Sequence, residues 1–480
     1  MKRNSWFGLF HEHISIMGSI DLKEENNNNV ILKEHQEGVA VKTKHKGFKE
    51  KTFVVRESLL TTEFRNGNMK IVYNCFTAVF LLFFLRALVD DILVQKMPLH
   101  HTWLIWWNFE KFFSTMAVWT GMFLSTIGVY FAYQHWSTIP SKNTNLPSNM
   151  PFVATYLTYL TAFFYFPLKF LYESNLNCAC SFIITCETTR IAMKVHSFIR
   201  ENWSRAMIRK SGGTIDAWPT LEQFLYYQFC PSFIYRDSYP RTEKRDMKAA
   251  GLYFLECLAI IEFVNLTYTQ WVFPWLHVQD YTSLSLSTIA LSLFTGIIPG
   301  IICLITLFYG LLHCWLNCFS EMMQFADRQF YLNWWNSSNM AEYYRNWNLV
   351  VHDWLYAYVF RDLAAYYPGR KGQKAAQMAV FFLSAVFHEY WFGVAFRCFY
   401  PVMFVLYFIF GGIFFAVSRL ITNRSAWNTA LWFNLLIGTG MFIAFYGQEW
   451  YARRGHCAPY SNAVVDLLFP RHWNCQPPIS

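Results

Sequence analysis

The sequence predicts an all-α protein that crosses a membrane several times. Of its 480 residues, 54% are hydrophobic and only 15% are charged, whereas an average soluble domain has about 25% charged residues. Apolar runs of roughly twenty residues, the length that spans a bilayer as a helix, recur along most of the chain. Because these runs follow one another closely, we expect one helical bundle rather than separate soluble domains.

The N-terminal residues 1–68 differ from the rest of the chain. They are polar, rich in lysine and include the run EENNNN. Such a composition buries too little apolar surface to offset the entropy of folding, so we predict a largely disordered tail. Its basic residues favour a cytosolic position. Residues 69–480 are then expected to form the membrane domain, with a short C-terminal tail.

Nine segments are long and apolar enough to be predicted as spans. They are residues 71–93, 111–133, 151–172, 176–198, 251–274, 283–312, 376–397, 401–420 and 428–449. With a cytosolic N-terminus, residues 199–250 face the cytosol, and their many Arg and Lys residues agree with the positive-inside rule. The C-terminus then lies in the lumen, where Cys457 and Cys475 could be oxidised and could pair.

Two segments have an unusual charge pattern. Glu187, Arg190 and Lys194 occur at helical spacing within the fourth span, which predicts a long helix that lies partly in a polar cavity. Residues 341–367 are amphipathic but too charged for a lipid-exposed span. We expect them to form a helix that enters the bundle from the cytosolic side.

An imidazole occurs in the apolar run 376–397. A polar group in hydrocarbon is costly unless it is paired, so His388 indicates a functional site. Imidazole is a natural general base near neutral pH, and Ser384, one helical turn earlier, could orient it or hold substrate. The alternative is that His388 only forms a hydrogen bond between helices.

A second polar group is formed by Asn348 and His352. They are four residues apart, hence on one face of a helix. A carboxamide in a dry site can donate a hydrogen bond to a developing oxyanion, so His388 and Asn348 together would suit acyl transfer. The alternative is that Asn348 and His352 satisfy backbone groups near a helix end.

Aromatic and amide residues alternate in QFYLNWWNSSN, residues 329–339. Such a surface could bind a nucleotide or an acyl chain, or it could be an interfacial aromatic belt. Basic residues around it could contact a polyanionic cofactor such as coenzyme A, or be ordinary cytoplasmic flanking charges. These basic residues are Arg328, Arg345, Arg361, Arg370, Lys371 and Lys374.

Taken in order, these segments resemble the motifs of the membrane-bound O-acyltransferases, and among them the sterol O-acyltransferases. The family's F-Y-x-D-W-W-N motif is matched by Phe330, Tyr331, Leu332, Asn333, Trp334, Trp335 and Asn336. W-N-x-x-V-H-D-W follows at 347–354, and S-A-x-x-H-E-Y at 384–390. FCPSFIYRDSYPRT, residues 229–242, also resembles a family segment. The likeness runs from about residue 70 to the end, with one departure, because Asn333 stands where the family has Asp.

The resemblance implies a nine-span bundle around an intramembrane reaction chamber in the endoplasmic reticulum. The family transfers a long-chain acyl group from acyl-CoA to the 3β-hydroxyl of a sterol, with no permanently bound cofactor, no metal and no nucleic acid. By similarity, His388 is the catalytic histidine, Asn348 assists it, and Cys457 pairs with Cys475. The residues expected to line the acyl-CoA path are Tyr343, Arg345, Trp347, His352, Lys374 and Ser384. The resemblance also implies a homodimer or homotetramer.

Two other functions stay open on the sequence. A diacylglycerol O-acyltransferase shares the loop motif and the histidine. Members of that family carry a motif similar to V-H-K-W where this chain has His352-Asp353-Trp354. A non-catalytic protein that binds sterol or lipid and kept the fold is the other alternative, and Asn333 is the feature that favours it.

Overall fold

The computed structural model describes residues 50–141, 146–215, 217–279 and 285–475. These residues are largely helical and include no β-strand, apart from isolated bridges that join Arg56 to Asp327 and Arg241 to Phe325. The predicted all-α fold is therefore confirmed.

Long helices make up most of the described chain. They are α1 (Lys70–Asp90), α2 (Phe112–Thr138), α3 (Leu146–Glu173), α4 (Cys178–Lys210), α5 (Met247–Thr267), α6 (Leu286–Leu307), α7 (Arg370–Phe396), α8 (Val402–Leu420) and α9 (Arg424–Tyr451). Shorter helices are Leu59–Arg65, Trp103–Asn108, Leu221–Phe229, Phe273–His277, Leu316–Met323, Met340–Trp347, Leu349–Leu355, Arg361–Tyr366 and Ala463–Leu468. Wider π-type turns occur at Asp91–Gln95, Tyr268–Val272, Phe308–Trp315, Tyr356–Phe360, Val405–Phe410 and Ala452–His456.

Each predicted span coincides with one of the long helices. Six stretches of the described residues are long and apolar enough to cross a membrane, namely His100–Thr138, Met247–His277, Leu286–Met323, Arg370–Phe396, Val402–Leu420 and Arg424–His456. Large apolar side chains such as Phe113 (87% exposed) and Leu286 (83% exposed) face outward, as expected where lipid is the solvent. The protein is thus a polytopic membrane protein, and the count of nine spans stays a prediction.

Part of the segment predicted as a disordered tail is folded. Residues 1–49 lie outside the described residues. Residues 59–65 form a helix with Leu60 buried, and the Arg56 guanidinium binds the Asp327 carboxylate (Nε–Oδ1 2.5 Å). The folded part of the chain therefore begins before residue 69.

The described residues divide into two compact units. The larger unit comprises the described residues of Thr52–Trp354 and Leu383–Ser480, and it contains the main hydrophobic core. The smaller unit contains Leu355–Phe382 together with residues 50 and 51. In this smaller unit, the Arg361 guanidinium lies 3.9 Å from the Glu50 carboxylate.

Helices α6 and α9 approach each other at small residues. A Cβ atom at Gly300 would lie 2.6 Å from the carbonyl oxygen of Thr439, and one at Gly440 would lie 2.7 Å from that of Leu293. Both distances are too short for a side chain. In a membrane, small residues let helix backbones pack closely, and this packing holds the pair together.

The three charged residues of α4 that the sequence singled out have partners within the protein. The Arg190 guanidinium donates to Glu187 (2.7 Å). The buried Lys194 ammonium donates to the carbonyl oxygens of Tyr227 (2.5 Å) and Cys230 (2.7 Å). The predicted long helix is confirmed. The carbonyls that accept from Lys194 lie at the end of the helix Leu221–Phe229, and the polar cavity stays a prediction.

Candidate active site

His388 lies in the middle of α7, and the helix itself fixes its tautomer. The Nδ1 atom is 2.7 Å from the backbone carbonyl oxygen of Ser384. Because a carbonyl oxygen only accepts, Nδ1 carries the proton, and the lone pair of the neutral ring is on Nε2. The Ser384 hydroxyl is 3.5 Å from Nδ1, so the main chain rather than this hydroxyl orients the ring.

A tryptophan from the same helix lies against the imidazole. The ring centroids of His388 and Trp391 are 5.0 Å apart. The Trp391 Nε1–H group donates to the Thr189 hydroxyl on α4 (3.0 Å). Helix α4 therefore fixes the position of the aromatic wall beside His388.

Glu389 has a structural environment that differs from that of its neighbour. This buried carboxylate accepts hydrogen bonds from the Tyr446 hydroxyl (2.7 Å) and from the backbone N–H of Phe404 (3.2 Å). It thereby joins α7 to α8 and α9. The adjacent His388 and Glu389 side chains thus have separate partners.

The chain breaks its helix at Asn348. One helix ends at Trp347, Asn348 is extended (φ −148°, ψ 92°), and the next helix is Leu349–Leu355. The prediction of one continuous helix over 341–367 is therefore wrong. The Asn348 Oδ1 atom accepts the backbone N–H of Val351 (3.2 Å) and caps the second helix.

This cap fixes the orientation of the Asn348 amide. Since Oδ1 accepts from the helix, the other end of the amide must be the Nδ2 donor. Nδ2 has no hydrogen-bond partner among the residues that the structure describes. The two interpretations of Asn348 are therefore compatible, because one atom caps a helix and the other can still donate to a substrate.

The motif loop, residues 330–336, forms backbone hydrogen bonds on both sides of the helix break. The Leu349 backbone N–H donates to the Phe330 carbonyl (2.9 Å), and the Leu332 N–H donates to the Asn346 carbonyl (2.9 Å). These two bonds flank Asn348. The loop motif and the asparagine, separate in the sequence, thus form one structural unit.

Three aromatic residues of the motif loop belong to the core. Phe330, Tyr331 and Trp334 are buried. The Trp334 ring is 4.5 Å from that of Trp347 and 6.2 Å from that of Tyr343 (centroid distances). The interpretation of an exposed aromatic surface or belt is therefore wrong for these three residues.

The remaining motif residues face outward or contact α9. The Trp335 carbonyl accepts from the Asn428 Nδ2 (2.9 Å) and the Trp432 Nε1 (3.1 Å). Asn333 and Asn336 are exposed, and the side chain of Asn333 bonds to no described residue. Replacing the family's Asp by Asn333 therefore removes an exposed charge and no folding contact.

The residues predicted to line an acyl-CoA path have different surroundings. Tyr343 and Trp347 are half-buried beside Trp334, whereas Arg345 is exposed on the same helix. His352 is half-buried, with Nδ1 3.4 Å from the neighbouring Asp353 carboxylate. Lys374 lies in the smaller unit, where it is half-buried in the first turns of α7.

Helix α4 is a common support for the two predicted catalytic segments. The Trp354 Nε1–H group, at the end of the helix that Asn348 caps, donates to the Met193 carbonyl (2.9 Å). Trp391 of α7 donates to Thr189, one turn earlier on α4. Both segments therefore dock on adjacent turns of the same helix.

A buried polar cluster escaped the sequence analysis. The Tyr331 hydroxyl lies 2.8 Å from the His313 Nδ1 atom and 2.9 Å from the Ser58 hydroxyl. Their exposed fractions are 0%, 1% and 1% respectively. His313 is an ionisable residue in the apolar run FYGLLHCW, so the argument that singled out His388 would also have found it.

The C-terminal segment is closed by a disulfide. Cys457 is joined to Cys475, as the sequence analysis expected, with 5.0 Å between their Cα atoms. Within this segment the Arg471 guanidinium donates two hydrogen bonds of 2.7 Å to Asp466, which hold the pKa of that carboxyl below its ordinary value. No group of three His, Cys, Asp or Glu side chains in the described ranges could hold a metal ion.

Comparison with known proteins identifies the family. Residues 102–448 match the MBOAT, membrane-bound O-acyltransferase family. Sterol O-acyltransferase 1 of Mus musculus is 36% identical over 433 residues, which cover 89% of this chain and 79% of the relative. Sterol O-acyltransferase 2 of Homo sapiens is 33% identical over 429 residues, which cover 89% and 81%. The chain therefore belongs to the membrane-bound O-acyltransferase family.

Proposed function

We propose that this protein is a sterol O-acyltransferase, which transfers a long-chain acyl group from acyl-CoA to the 3β-hydroxyl of a sterol. Membership of the family makes it an acyl-CoA-dependent O-acyltransferase. The sterol as acceptor is supported by the names of its relatives and by the segments IYRDSYPRT and His352-Asp353-Trp354.

The environment of His388 is the observation that carries the proposal. Its Nδ1–H is held by a main-chain carbonyl, which leaves Nε2 as the basic atom. The imidazole lies within an apolar helix, where a sterol hydroxyl would also arrive from the bilayer. Nε2 takes the proton from that hydroxyl while the oxygen attacks the thioester carbonyl.

Asn348 supplies the second part of the mechanism. Its Nδ2 group donates to the oxyanion that forms on the thioester carbonyl, and the helix cap keeps that donor oriented. Collapse of the intermediate breaks the carbon–sulfur bond. The leaving thiolate of coenzyme A then takes the proton from His388, which restores the neutral base.

The co-substrate and the assembly complete the proposal. Tyr343, Arg345, Trp347 and His352 lie on the two helices that meet at Asn348, which suits a path for acyl-CoA that ends at this residue. Lys374 and Ser384 are included on the basis of the family motifs. We place the protein in the endoplasmic reticulum membrane as a homodimer or homotetramer, with the N-terminus cytosolic and the disulfide-closed C-terminus in the oxidising lumen.

The test is ester formation in microsomes from cells that lack their own sterol and diacylglycerol acyltransferases. Labelled oleoyl-CoA is supplied with cholesterol or with diacylglycerol. Wild type is compared with His388→Ala and with His135→Ala, a control that removes an exposed imidazole from α2. We expect sterol ester from wild type and the control, and none above background from His388→Ala.

Two outcomes would contradict the proposal. Triglyceride in place of sterol ester would make the protein a diacylglycerol acyltransferase with the same base. Absence of both esters, with the protein present and folded, would favour a non-catalytic protein that binds sterol or lipid.

A further inference from the structure

Three buried residues from distant parts of the chain form a hydrogen-bonded cluster next to the motif loop. Ser58 precedes the first long helix, His313 lies after α6, and Tyr331 belongs to the loop itself. None of them is among the residues assigned above to the acyl transfer. Their role therefore needs a separate explanation.

The Asn317 amide determines the role of His313, because its Nδ2 group only donates and lies 3.3 Å from the His313 Nδ1 atom, which therefore accepts. The Tyr331 hydroxyl, 2.8 Å away, donates to the same Nδ1 atom. The Ser58 hydroxyl lies 2.9 Å from the Tyr331 oxygen and 3.1 Å from Nδ1, so the three side chains form a closed group. Asn317 donates to the His313 carbonyl (2.8 Å) and holds this part of the helix. Because these groups are buried, losing the Tyr331 hydroxyl removes two of the three contacts within the cluster from an environment without solvent to replace them.

The segment before the first long helix is bound to the chain just ahead of the loop. The Arg56 backbone N–H donates to the Ala326 carbonyl (3.0 Å), and the Arg328 N–H donates to the Arg56 carbonyl (3.0 Å). The Arg56 guanidinium also binds both carboxylate oxygens of Asp327 (2.5 and 3.1 Å). Residues 56–58 are therefore an integral part of the larger unit.

Tyr331 lies between the two residues that hold the helix break. Its neighbours Phe330 and Leu332 form the backbone bonds to Leu349 and Asn346. A shift of the loop would therefore move both ends of the segment that contains Asn348. The hydroxyl of Tyr331 is the side-chain anchor that opposes such a shift.

We propose that Ser58, His313 and Tyr331 are positioning residues, which hold the motif loop so that the Asn348 donor stays aligned with the forming oxyanion. The inference rests on the role proposed above for Asn348. It assigns a part in building the active site to a segment that precedes the first span.

Tyr331→Phe and Ser58→Ala test the proposal, because each removes one hydroxyl and adds no volume. Tyr133→Phe is the matched control. Its hydroxyl is equally buried and donates to the Ile199 carbonyl (3.0 Å), but it joins α2 to α4 away from the loop. The control should therefore lose a similar amount of stability without affecting the site.

The first readout is steady-state kinetics of the full-length protein. We expect Tyr331→Phe to lower kcat roughly tenfold, the effect of losing about one hydrogen bond, with the KM for acyl-CoA unchanged. Tyr133→Phe should keep the wild-type kcat. In an Asn348→Asp background, Tyr331→Phe should cause no further loss, because the two residues act through the same donor. Losses that multiply would overturn the proposal.

The second readout does not depend on activity. Hydrogen exchange of the backbone amides in residues 346–352 is measured on the purified full-length protein. Tyr331→Phe and Ser58→Ala should speed exchange there, whereas Tyr133→Phe should not. Unchanged exchange in both variants would refute the positioning role. Faster exchange in a protein whose wild type forms no ester would instead show that the loop is held as inferred and that the proposed function is wrong.

Discussion

Replacing Asn348 by aspartate separates the two tasks assigned to this side chain. Asp is isosteric with Asn and keeps an oxygen that can accept the Val351 N–H, so the helix cap survives. The change removes the Nδ2 donor and places a negative charge where the oxyanion would form. We therefore expect a folded protein with a strongly reduced kcat.

The expected magnitudes differ for catalysis and for stability. Loss of one oxyanion donor typically lowers kcat by about 10²- to 10³-fold. Asp and Asn are about equally good N-caps, so the free energy of unfolding should change little, whereas Asn348→Ala should lose about 1 kcal/mol with the cap. Both variants should therefore keep only a small fraction of the wild-type kcat, and only Asn348→Ala should also be destabilised.

The assay measures kcat for sterol ester formation and the melting temperature of the purified protein in detergent. Asn423→Asp is the control, because Asn423 caps α9 by accepting the Ala426 N–H (2.9 Å). A kcat for Asn348→Asp within tenfold of wild type would refute the role of the amide as oxyanion donor. A loss of stability in Asn348→Asp equal to that in Asn348→Ala would refute the cap.

Four further changes test other parts of the structure, each by thermal denaturation. Gly440→Ala would place a Cβ atom 2.7 Å from a backbone oxygen of α6 and should destabilise the protein by about 1–3 kcal/mol. Gly438→Ala is its control and should not destabilise the protein, because a Cβ atom there meets nothing within 4 Å. Because the folded-state pKa of Asp466 is depressed, its ion pair stabilises the protein above the unfolded pKa of about 4 and is lost as pH falls through the folded value. Wild type and Asp466→Asn should accordingly differ at pH 7 and converge in acid, and a constant difference would contradict the ion pair. Cys475→Ser opens a disulfide between residues 18 apart and should lower stability by roughly 3 kcal/mol; an unchanged melting temperature would show that the bond does not stabilise the fold. Asn333→Asp alters an exposed side chain that bonds to nothing within the described ranges and should change stability by less than about 0.5 kcal/mol, so a larger effect would reveal a contact of the loop.

The helices were predictable because hydropathy is a local property. A run of about twenty apolar residues needs lipid on its outer face wherever it lies in the chain. The predicted spans therefore coincide with helices whose outer side chains, such as Phe113, are exposed. His388 was found in the same way, since an imidazole in such a run is costly without a partner.

The helix break at Asn348 was not predictable from its own segment. Residues 341–367 have an amphipathic pattern that favours one continuous helix. The break exists because the backbone of residues 346 and 349 bonds to the motif loop, where Phe330 and Leu332 provide the partners. Local propensity cannot contain a contact that the rest of the fold supplies.

Distant contacts also explain why the sequence did not predict that the motif loop is buried or that the folded chain begins before residue 69. Trp334 and Tyr331 lie in a polar loop, so their sequence suggests an exposed surface, but packing against Trp347 and bonding to His313 bury them. Ser58 lies in a polar segment, and only its distant partners show that this segment is folded.

The sequence by itself determined that the protein is helical, crosses a membrane and carries an imidazole in one span, because composition and hydropathy act on each segment separately. The order of its motifs also identified the family. Only the tertiary structure decided which Asn348 atom is the donor, which nitrogen of His388 is basic, and which residues hold the loop. The first two depend on bonds to Val351 and Ser384, which form only once the local backbone has its folded geometry. The third depends on groups far apart in the chain, which bond only when folding brings them within about 3 Å of each other.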